Sequence, residues 1–315
     1  ALEGLTIGGR ALTMLTVVPH WYRLLLWPAH LRGDYAPREL DTSTTWGIEQ
    51  TQGALLLVLA VIAALAVWRK APVITFGLAW VAVGIFPVSN VLIPTAIMIA
   101  ERILFLPSIG MMLVIGGLAV PVIDWVRHRP RATQTIMAAG VGAVLVMGLT
   151  RSASRQLVWR DQFTFWRQAT IDAPLSYKAH HAFASLLFPA GARSWAEREY
   201  QTAIALYPRR WGAYFDLGNK LRLEGKCEPA TWHYRQALLI EPGLESARTS
   251  LIACFLNMGR YGDAIAESRE AMSNATRPAR LMLFQRLLTI SDSAARAKAP
   301  AGTVRITVAM RDTMP

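Results

Sequence analysis

Apolar residues are distributed differently in the two halves of this chain. Up to about residue 150 they form long stretches broken by short polar segments, and a transmembrane helix needs about 20 such residues. Five stretches approach that length, which predicts membrane spans at about 5–27, 51–68, 71–87, 103–126 and 133–150. The second and third are separated by a short basic segment and predict a tight helical hairpin. The fourth contains prolines and is expected to be bent.

The second half repeats itself every 34 residues. Proline, glycine and three alanine positions recur with this period, and the aligned sets are Pro174, Pro208 and Pro242; Ala179, Ala213 and Ala247; Gly191, Gly225 and Gly259; Ala196, Ala230 and Ala264; and Ala203, Ala237 and Ala271. A 34-residue helix–turn–helix with small residues at helix crossings is the tetratricopeptide pattern. It predicts an α-solenoid, a fold that binds proteins or peptides on its concave face and does not itself catalyse.

Together the two patterns predict an all-α protein with two domains. A membrane domain covers 1–150. The solenoid covers 151–290, with a half repeat at 159–174, full repeats at 175–208, 209–242 and 243–276, and a capping helix at 277–290. Residues 291–315 are predicted to be a disordered tail.

Composition supports a membrane protein: 53% of residues are hydrophobic, only 17% are charged and the mean hydropathy is +0.29. The net charge of +12 lies mostly in the second half. Its basic residues are scattered, so a solvated surface near anionic headgroups is favoured and a nucleic-acid partner is not expected. The opening of the chain lacks a signal peptide, and we expect a longer protein with further sequence before residue 1.

Basic residues between the spans predict the orientation. Arg69 and Lys70 lie between spans two and three, and Arg127, Arg129 and Arg131 lie between spans four and five. Short loops rich in Lys and Arg are usually cytoplasmic. The segments 28–50 and 87–102, and everything after 150, are therefore predicted on the outer face, which is periplasmic in a bacterium and lumenal in a eukaryotic secretory membrane.

An unusual charged pair, Glu101 and Arg102, lies inside the apolar stretch 86–110. Residues 88–100 are too few for a span and predict a re-entrant or interfacial segment. Charges at a membrane edge often face a cavity on a substrate path. An interfacial pair with Arg102 reaching headgroups explains the pattern equally well. The outer loop adds Asp34, Tyr35, Arg38, Glu39 and Asp41, which could handle a lipid-linked sugar or form an ordinary solvated loop.

Other candidate chemistry is sparse. Cys227 and Cys254 have no metal-binding spacing, and ordinary helix positions are favoured over a disulfide. His180 and His181 have no nearby ligand partners in the sequence, so surface or core roles are favoured and no metal site is predicted. Asn274 begins a weak N-glycosylation motif, which is relevant only in a eukaryotic lumen.

The apolar stretch 86–110, followed by two further spans and then the 34-residue repeats, resembles the transmembrane and tetratricopeptide-repeat (TMTC) proteins. The resemblance is carried by the P-x-SN, P, AER and LxxPS-x-G motifs, matched here by Pro87, Ser89, Asn90, Pro94, Ala100, Glu101, Arg102, Leu106, Pro107, Ser108 and Gly110, and by an upstream segment with Pro28, Asp34 and Tyr35. It extends from about Gly9 to Ala275. The membrane motifs are specific, whereas the repeats alone occur in many unrelated proteins.

The resemblance implies a GT-C type glycosyltransferase that moves mannose or a related sugar from a dolichyl- or polyprenyl-phosphate donor to Ser or Thr of a protein. Arg102 would hold the lipid phosphate, since a guanidinium binds phosphate oxygens bidentately. Glu101 would orient Arg102, and Asp34 and Tyr35 would line the sugar or acceptor side. Ser89, Asn90 and Ser108 complete the candidate set.

The resemblance also implies that the catalytic base belongs to a first outer loop near the start of such enzymes, so its identity here is unknown and this chain alone is expected to be inactive. No cofactor or metal is assigned; the lipid-linked sugar is a substrate. Expected partners are membrane lipid and an acceptor protein bound by the repeats. The expected location is a bacterial inner membrane or the endoplasmic reticulum. Two alternatives remain: a non-catalytic membrane-anchored repeat scaffold, and a polysaccharide ligase or polymerase.

Overall fold

The computed structural model describes residues 2, 5–28, 31–32, 45–93, 99, 101–274 and 278–304. Within these ranges all regular secondary structure is helical, which confirms the predicted all-α class. Contacts between Cα positions divide the chain into two compact units, Ala1–Ala179 and His180–Pro315. The helix Tyr177–Leu187 crosses the boundary between these two units. The units therefore do not correspond to the domains predicted from the sequence, and those domain limits stay predictions.

The first unit contains six α-helices among its described residues: α1 Ile7–Leu26, α2 Ile48–Val67, α3 Pro72–Ile85, α4 Phe105–Arg127, α5 Arg131–Gln156 and α6 Gln162–Asp172. Three short 3₁₀ helices, Phe86–Val88, Glu101–Leu104 and Leu157–Trp159, adjoin α3, α4 and α5. The Thr6 hydroxyl caps α1 by accepting a hydrogen bond from Gly9 N at 3.2 Å. The Asp161 carboxylate caps α6 in the same way, since it accepts a hydrogen bond from Thr164 N at 2.8 Å.

Three helical segments are long and apolar enough to cross a membrane: Ile48–Val67, Glu101–Arg127 and Arg131–Trp159. The apolar helix Pro72–Val88 is shorter than a usual span. The α1 helix has 20 residues but carries Arg10, His20 and Arg23. The described structure therefore supplies three candidate spans, and the total of five stays a prediction.

The α1 helix forms the centre of a small apolar core. Its buried residues Met14, Val17, Val18, Trp21 and Leu24 pack with Ile99 and Leu104 from the segment before α4. Arg10 reaches the same region, where its Nη1 donates to the Leu92 carbonyl at 3.2 Å. Buried side chains of the apolar stretch 86–110, among them Ile99 and Leu104, therefore pack against α1.

The second unit is built from helices that pack consecutively. They are α7 Tyr177–Leu187, which begins just before it, α8 Arg193–Leu206, α9 Trp211–Leu223, α10 Cys227–Ile240, α11 Glu245–Asn257, α12 Tyr261–Ser273 and α13 Pro278–Arg296. The starts of α7, α9 and α11 are 34 residues apart, and so are those of α8, α10 and α12. This spacing is consistent with the predicted repeats, while the solenoid itself stays a prediction.

Small residues allow these helices to approach closely. Ala196, Ala230 and Ala264 are at most 1% exposed, and the other alanine columns are buried too. The turn glycines Gly191, Gly225 and Gly259 have φ values of +83°, +77° and +72°, so each uses the left-handed conformation that commonly ends a helix. Cys227 and Cys254 are buried free thiols on α10 and α11, and Asn257 Nδ2 lies 3.8 Å from Cys227 Sγ.

Candidate functional site

The charged pair lies where the segment before α4 meets the end of α1. Glu101 begins the 3₁₀ helix Glu101–Leu104 and is partly buried, whereas Arg102 is exposed. The Glu101 carboxylate accepts a hydrogen bond from the backbone N–H of Arg32. Glu101 therefore ties this segment to the chain that follows α1, and the adjacent Arg102 is exposed.

Asn90 and the two candidate serines bond to nearby backbone. Asn90 is 1% exposed and has φ of +56°, a left-handed conformation that asparagine tolerates better than most residues. Its amide donates to the Val88 carbonyl at 3.3 Å and lies 4.0 Å from Met14 Sδ on α1. The Ser89 and Ser108 hydroxyls donate at 2.7 Å to the carbonyls of Phe86 and Phe105. These contacts stabilise the turn and the start of α4.

Several residues singled out in the sequence lie outside the described residues. They are Asp34, Tyr35, Arg38, Glu39 and Asp41 of the loop after α1, and Pro94 and Ala100 of the motif before α4. Of the seven candidate site residues, the structure therefore locates Ser89, Asn90, Glu101, Arg102 and Ser108. It brings Asn90 against α1 and Glu101 against the segment that follows α1.

A separate cleft of about 1290 Å³ opens between the end of α1, the end of α5 and α6. Its apolar wall includes Leu26, Trp27, Val144 and Met147, and its polar wall includes Arg32, Arg151, Arg155 and Asp172. Arg155 Nη1 lies 2.6 Å from Asp172 Oδ2, and Arg155 Nη2 donates to the Leu31 carbonyl at 3.1 Å. Gln168 donates to the other Asp172 oxygen at 2.8 Å.

None of the five candidate site residues that the structure describes lines this cleft. Two of its lining residues could have been predicted from the sequence. Arg151 and Arg155 lie four residues apart at the end of a predicted span, so they share one face of that helix. Arg32 could not have been added, because its position beside them depends on the fold of the first unit.

Ionisable side chains in the second unit pair between helices. His180 Nδ1 lies 2.5 Å from Glu199 Oε2 on α8, and His181 Nε2 lies 2.8 Å from Asp216 Oδ2 on α9. The buried Arg248 contacts Glu267 Oε1 at 2.7 Å and Glu270 Oε1 at 3.0 Å. Burial raises the pKa of Glu267, and the Arg248 charge opposes that rise. Within the described residues no three His, Cys, Asp or Glu side chains cluster as metal ligands.

These features define a helical protein with candidate membrane spans and a unit of consecutively packed helix pairs. The chain is a distant homologue of the TMTC protein O-mannosyl-transferases, at 24–30% identity. It is 26% identical to human Protein O-mannosyl-transferase TMTC1 over 147 residues, which cover 46% of this chain and 16% of that protein. The mouse protein of that name is 25% identical over 202 residues, or 62% and 21% of the two chains. Drosophila melanogaster Protein O-mannosyl-transferase Tmtc1 is 30% identical over 155 residues, or 48% and 17%.

No family model matches the chain. The chain spans about a fifth or less of the length of these curated relatives, between 16% and 21%. The resemblance noted in the sequence is thus confirmed as distant homology.

Proposed function

We propose that this chain is part of a GT-C type membrane glycosyltransferase. In this proposal the whole protein transfers mannose or a related sugar from a dolichyl- or polyprenyl-phosphate donor to Ser or Thr of an acceptor protein, on the periplasmic or lumenal face. The observation that carries the proposal is the homology to proteins named O-mannosyl-transferases. The three candidate membrane spans support it, because a lipid-linked donor is reached from within a membrane.

Arg102 is proposed to hold the phosphate that leaves with the lipid. Its side chain is exposed in the 3₁₀ helix just before α4, and none of the acidic residues within the described ranges forms an ion pair with it. A planar guanidinium can donate two parallel hydrogen bonds to a phosphate, which strengthen as charge develops on the leaving group. Glu101 would fix the position of Arg102 through its bond to the Arg32 backbone.

The remaining candidates have supporting roles in this proposal. Asn90, Ser89 and Ser108 would hold the backbone around Glu101 and Arg102 in shape, since their side chains bond to local carbonyls. Asp34 and Tyr35 would line the sugar or acceptor side. The helix pairs of the second unit would bind the acceptor protein, and the catalytic base would come from a part of the protein outside this chain.

A transfer assay on the complete protein tests the role of Arg102. With dolichyl-phosphate-mannose as donor, Arg102→Ala should reduce transfer by about 100-fold or more, because one charge-stabilising contact in the transition state is lost. Arg102→Lys should recover only part of the rate, since it keeps the charge but loses the bidentate geometry. Membrane insertion should be unchanged in both variants.

Arg167→Ala on α6 is a matched control, because Arg167 is also exposed and has no role in the proposal. Normal transfer by Arg102→Ala would remove the phosphate role. A complete wild-type protein that inserts correctly, binds partners through its second unit and transfers no sugar would favour the membrane-anchored scaffold instead.

A further inference from the structure

The two cysteines of this chain meet between α10 and α11. Cys227 is 7% exposed and Cys254 0% exposed, and both are free thiols within one apolar core. Asn257 lies one turn after Cys254 on α11, and its Nδ2 is 3.8 Å from Cys227 Sγ. The Cys254 thiol is also close enough to the Cys227 sulfur to hydrogen-bond to it. The pair is a contact between two helices, which the spacing of the cysteines in the sequence does not predict.

The surroundings of Cys227 stabilise a thiolate. Cys227 is the first residue of α10, and the N–H groups at the start of a helix favour negative charge. A hydrogen bond from the Cys254 thiol lowers the pKa of Cys227, and burial opposes this effect. The Asn257 amide and the positive charge of Arg222 lower the pKa further. Cys227 therefore has the character of a nucleophile.

Cys254 has the opposite character. Its hydrogen bond to Cys227 and its burial both raise the pKa of Cys254. Of the two thiols, Cys254 therefore keeps its proton longer. This is the arrangement of an attacking cysteine with a second cysteine beside it that can resolve a mixed disulfide.

We propose that Cys227 and Cys254 form a reversible disulfide between α10 and α11, with a low-molecular-weight disulfide such as glutathione disulfide as the oxidant. The Cys227 thiolate attacks one sulfur of glutathione disulfide, whose S–S bond breaks and releases one glutathione thiolate, which takes up a proton. Cys254 then loses its proton and attacks Cys227 Sγ, which forms the protein disulfide and releases the second glutathione. Two protein thiols are oxidised, and one small disulfide is reduced to two thiols.

Such a bond joins two consecutive predicted repeats, because α10 lies in 209–242 and α11 in 243–276. It would fix the packing of one helix pair against the next. The second unit is predicted on the periplasmic or lumenal face, where protein disulfides form and persist. The disulfide does not depend on glycosyl transfer and shares no residue with the proposed donor-phosphate position at Arg102.

Thiol trapping on the purified full chain in a nonionic detergent tests the pair. The folded protein is equilibrated with glutathione and glutathione disulfide, quenched in acid, and treated with a maleimide in denaturant before mass spectrometry. The wild type should lose both maleimide sites and two hydrogen atoms, without gaining glutathione or a second chain. The equilibrium constant for oxidation should be at least about tenfold larger than for the same chain in urea, because folding holds the two sulfurs together. An equal or smaller constant for the folded chain would overturn the proposal.

Single serine variants test which thiol reacts first, at a temperature where circular dichroism shows native helix content. Cys254→Ser should leave Cys227 as a mixed disulfide with glutathione, because no thiol remains to displace the glutathione. Cys227→Ser is the matched control and should leave Cys254 unmodified, since that thiol is fully buried and holds its proton. Equal glutathione addition to both variants would show two independent thiols and would also overturn the proposal.

Discussion

His233 illustrates how burial of one ring changes its chemistry. The imidazole lies on α10 with the Trp232 ring 4.8 Å away and the Tyr214 ring 6.3 Å away, measured between centroids. Its Nδ1 atom is buried and has no hydrogen-bond partner among the described residues. Loss of hydration disfavours the charged form, which lowers the pKa of His233 from 6.5 to about 4.

This shift predicts a loss of stability in mild acid. Between pH 6.5 and about 4 the unfolded chain protonates His233 while the folded chain resists it, so the stabilisation present above pH 6.5 is lost as the pH falls. The ring is partly exposed, and we expect an effect of about 1–2 kcal/mol. Thermal unfolding of the full chain at pH 7.5 and 5 should show a smaller drop for His233→Gln than for the wild type.

His128→Gln is the control for this measurement, because His128 is exposed at the end of α4. It should retain the full drop of the wild type. If His233→Gln lost as much stability between the two pH values as His128→Gln, the neutral buried imidazole would not contribute to the acid sensitivity.

Residue chemistry could be predicted from the sequence only where the partner was close in the chain. The partners of His180 and His181, which are Glu199 and Asp216, could not be identified from the sequence because they lie 19 and 35 residues away. The bond between Arg155 and Leu31 joins residues 124 apart. Such pairs are created by the packing of helices, and a single sequence does not record that packing.

The α3 and α4 helices approach each other closely through glycine. A Cβ atom built at Gly110 would lie 2.5 Å from the Gly77 carbonyl oxygen, and one at Gly117 would lie 2.5 Å from Ile74 Cγ1. Gly77 and Gly84 on α3, like Gly110 and Gly117 on α4, are seven residues apart. Small residues at such positions let membrane helices pack by close backbone contact.

Gly110→Ala should therefore destabilise the α3–α4 pair. The added methyl group meets rigid backbone, and overpacking of this kind costs about 1–3 kcal/mol. Gly116→Ala on the same helix should be neutral or stabilising, because nothing lies within 4 Å of its Cβ position and alanine favours helix by about 1 kcal/mol. Thermal unfolding of the full chain in detergent distinguishes them, and equal effects from both variants would contradict the close crossing.

For individual helices, the sequence predicted the repeat helices better than the limits of the membrane helices. The 34-residue spacing anticipated helix starts such as those of α7, α9 and α11, because each repeat meets the same packing constraint. The α4 helix was predicted near 103–126 and observed at Phe105–Arg127. The α3 helix has only 14 residues, and apolar composition alone could not show where it ends.

For the molecule as a whole, the number of membrane crossings determines which surfaces can meet a substrate. The α3 helix spans about 21 Å at 1.5 Å per residue, against a hydrocarbon core of about 30 Å. If α3 crosses the membrane, the turns after α2 and after α4 lie on the same side. If it does not cross, those turns lie on opposite sides, since α4 is long enough to span.

Cysteine labelling of the full chain in sealed, right-side-out vesicles should resolve this topology. In a Cys227→Ala, Cys254→Ala background, we expect an impermeant maleimide to label Trp46→Cys and Arg160→Cys but to miss Trp68→Cys and His128→Cys. The four positions are exposed, and the substitutions leave Arg69, Lys70, Arg127 and Arg129 in place, so the charges that favour the cytoplasmic side are unchanged.

Permeabilised vesicles are the control, because all four cysteines should then react. Labelling of Trp68→Cys but not His128→Cys, or the reverse, would show that α3 does not cross and would reduce the number of spans. Labelling of both Trp68→Cys and His128→Cys, with Trp46→Cys and Arg160→Cys protected, would invert the orientation. The end of α5 and Arg102 would then lie on the cytoplasmic side, where the proposed transfer to a periplasmic or lumenal acceptor could not take place.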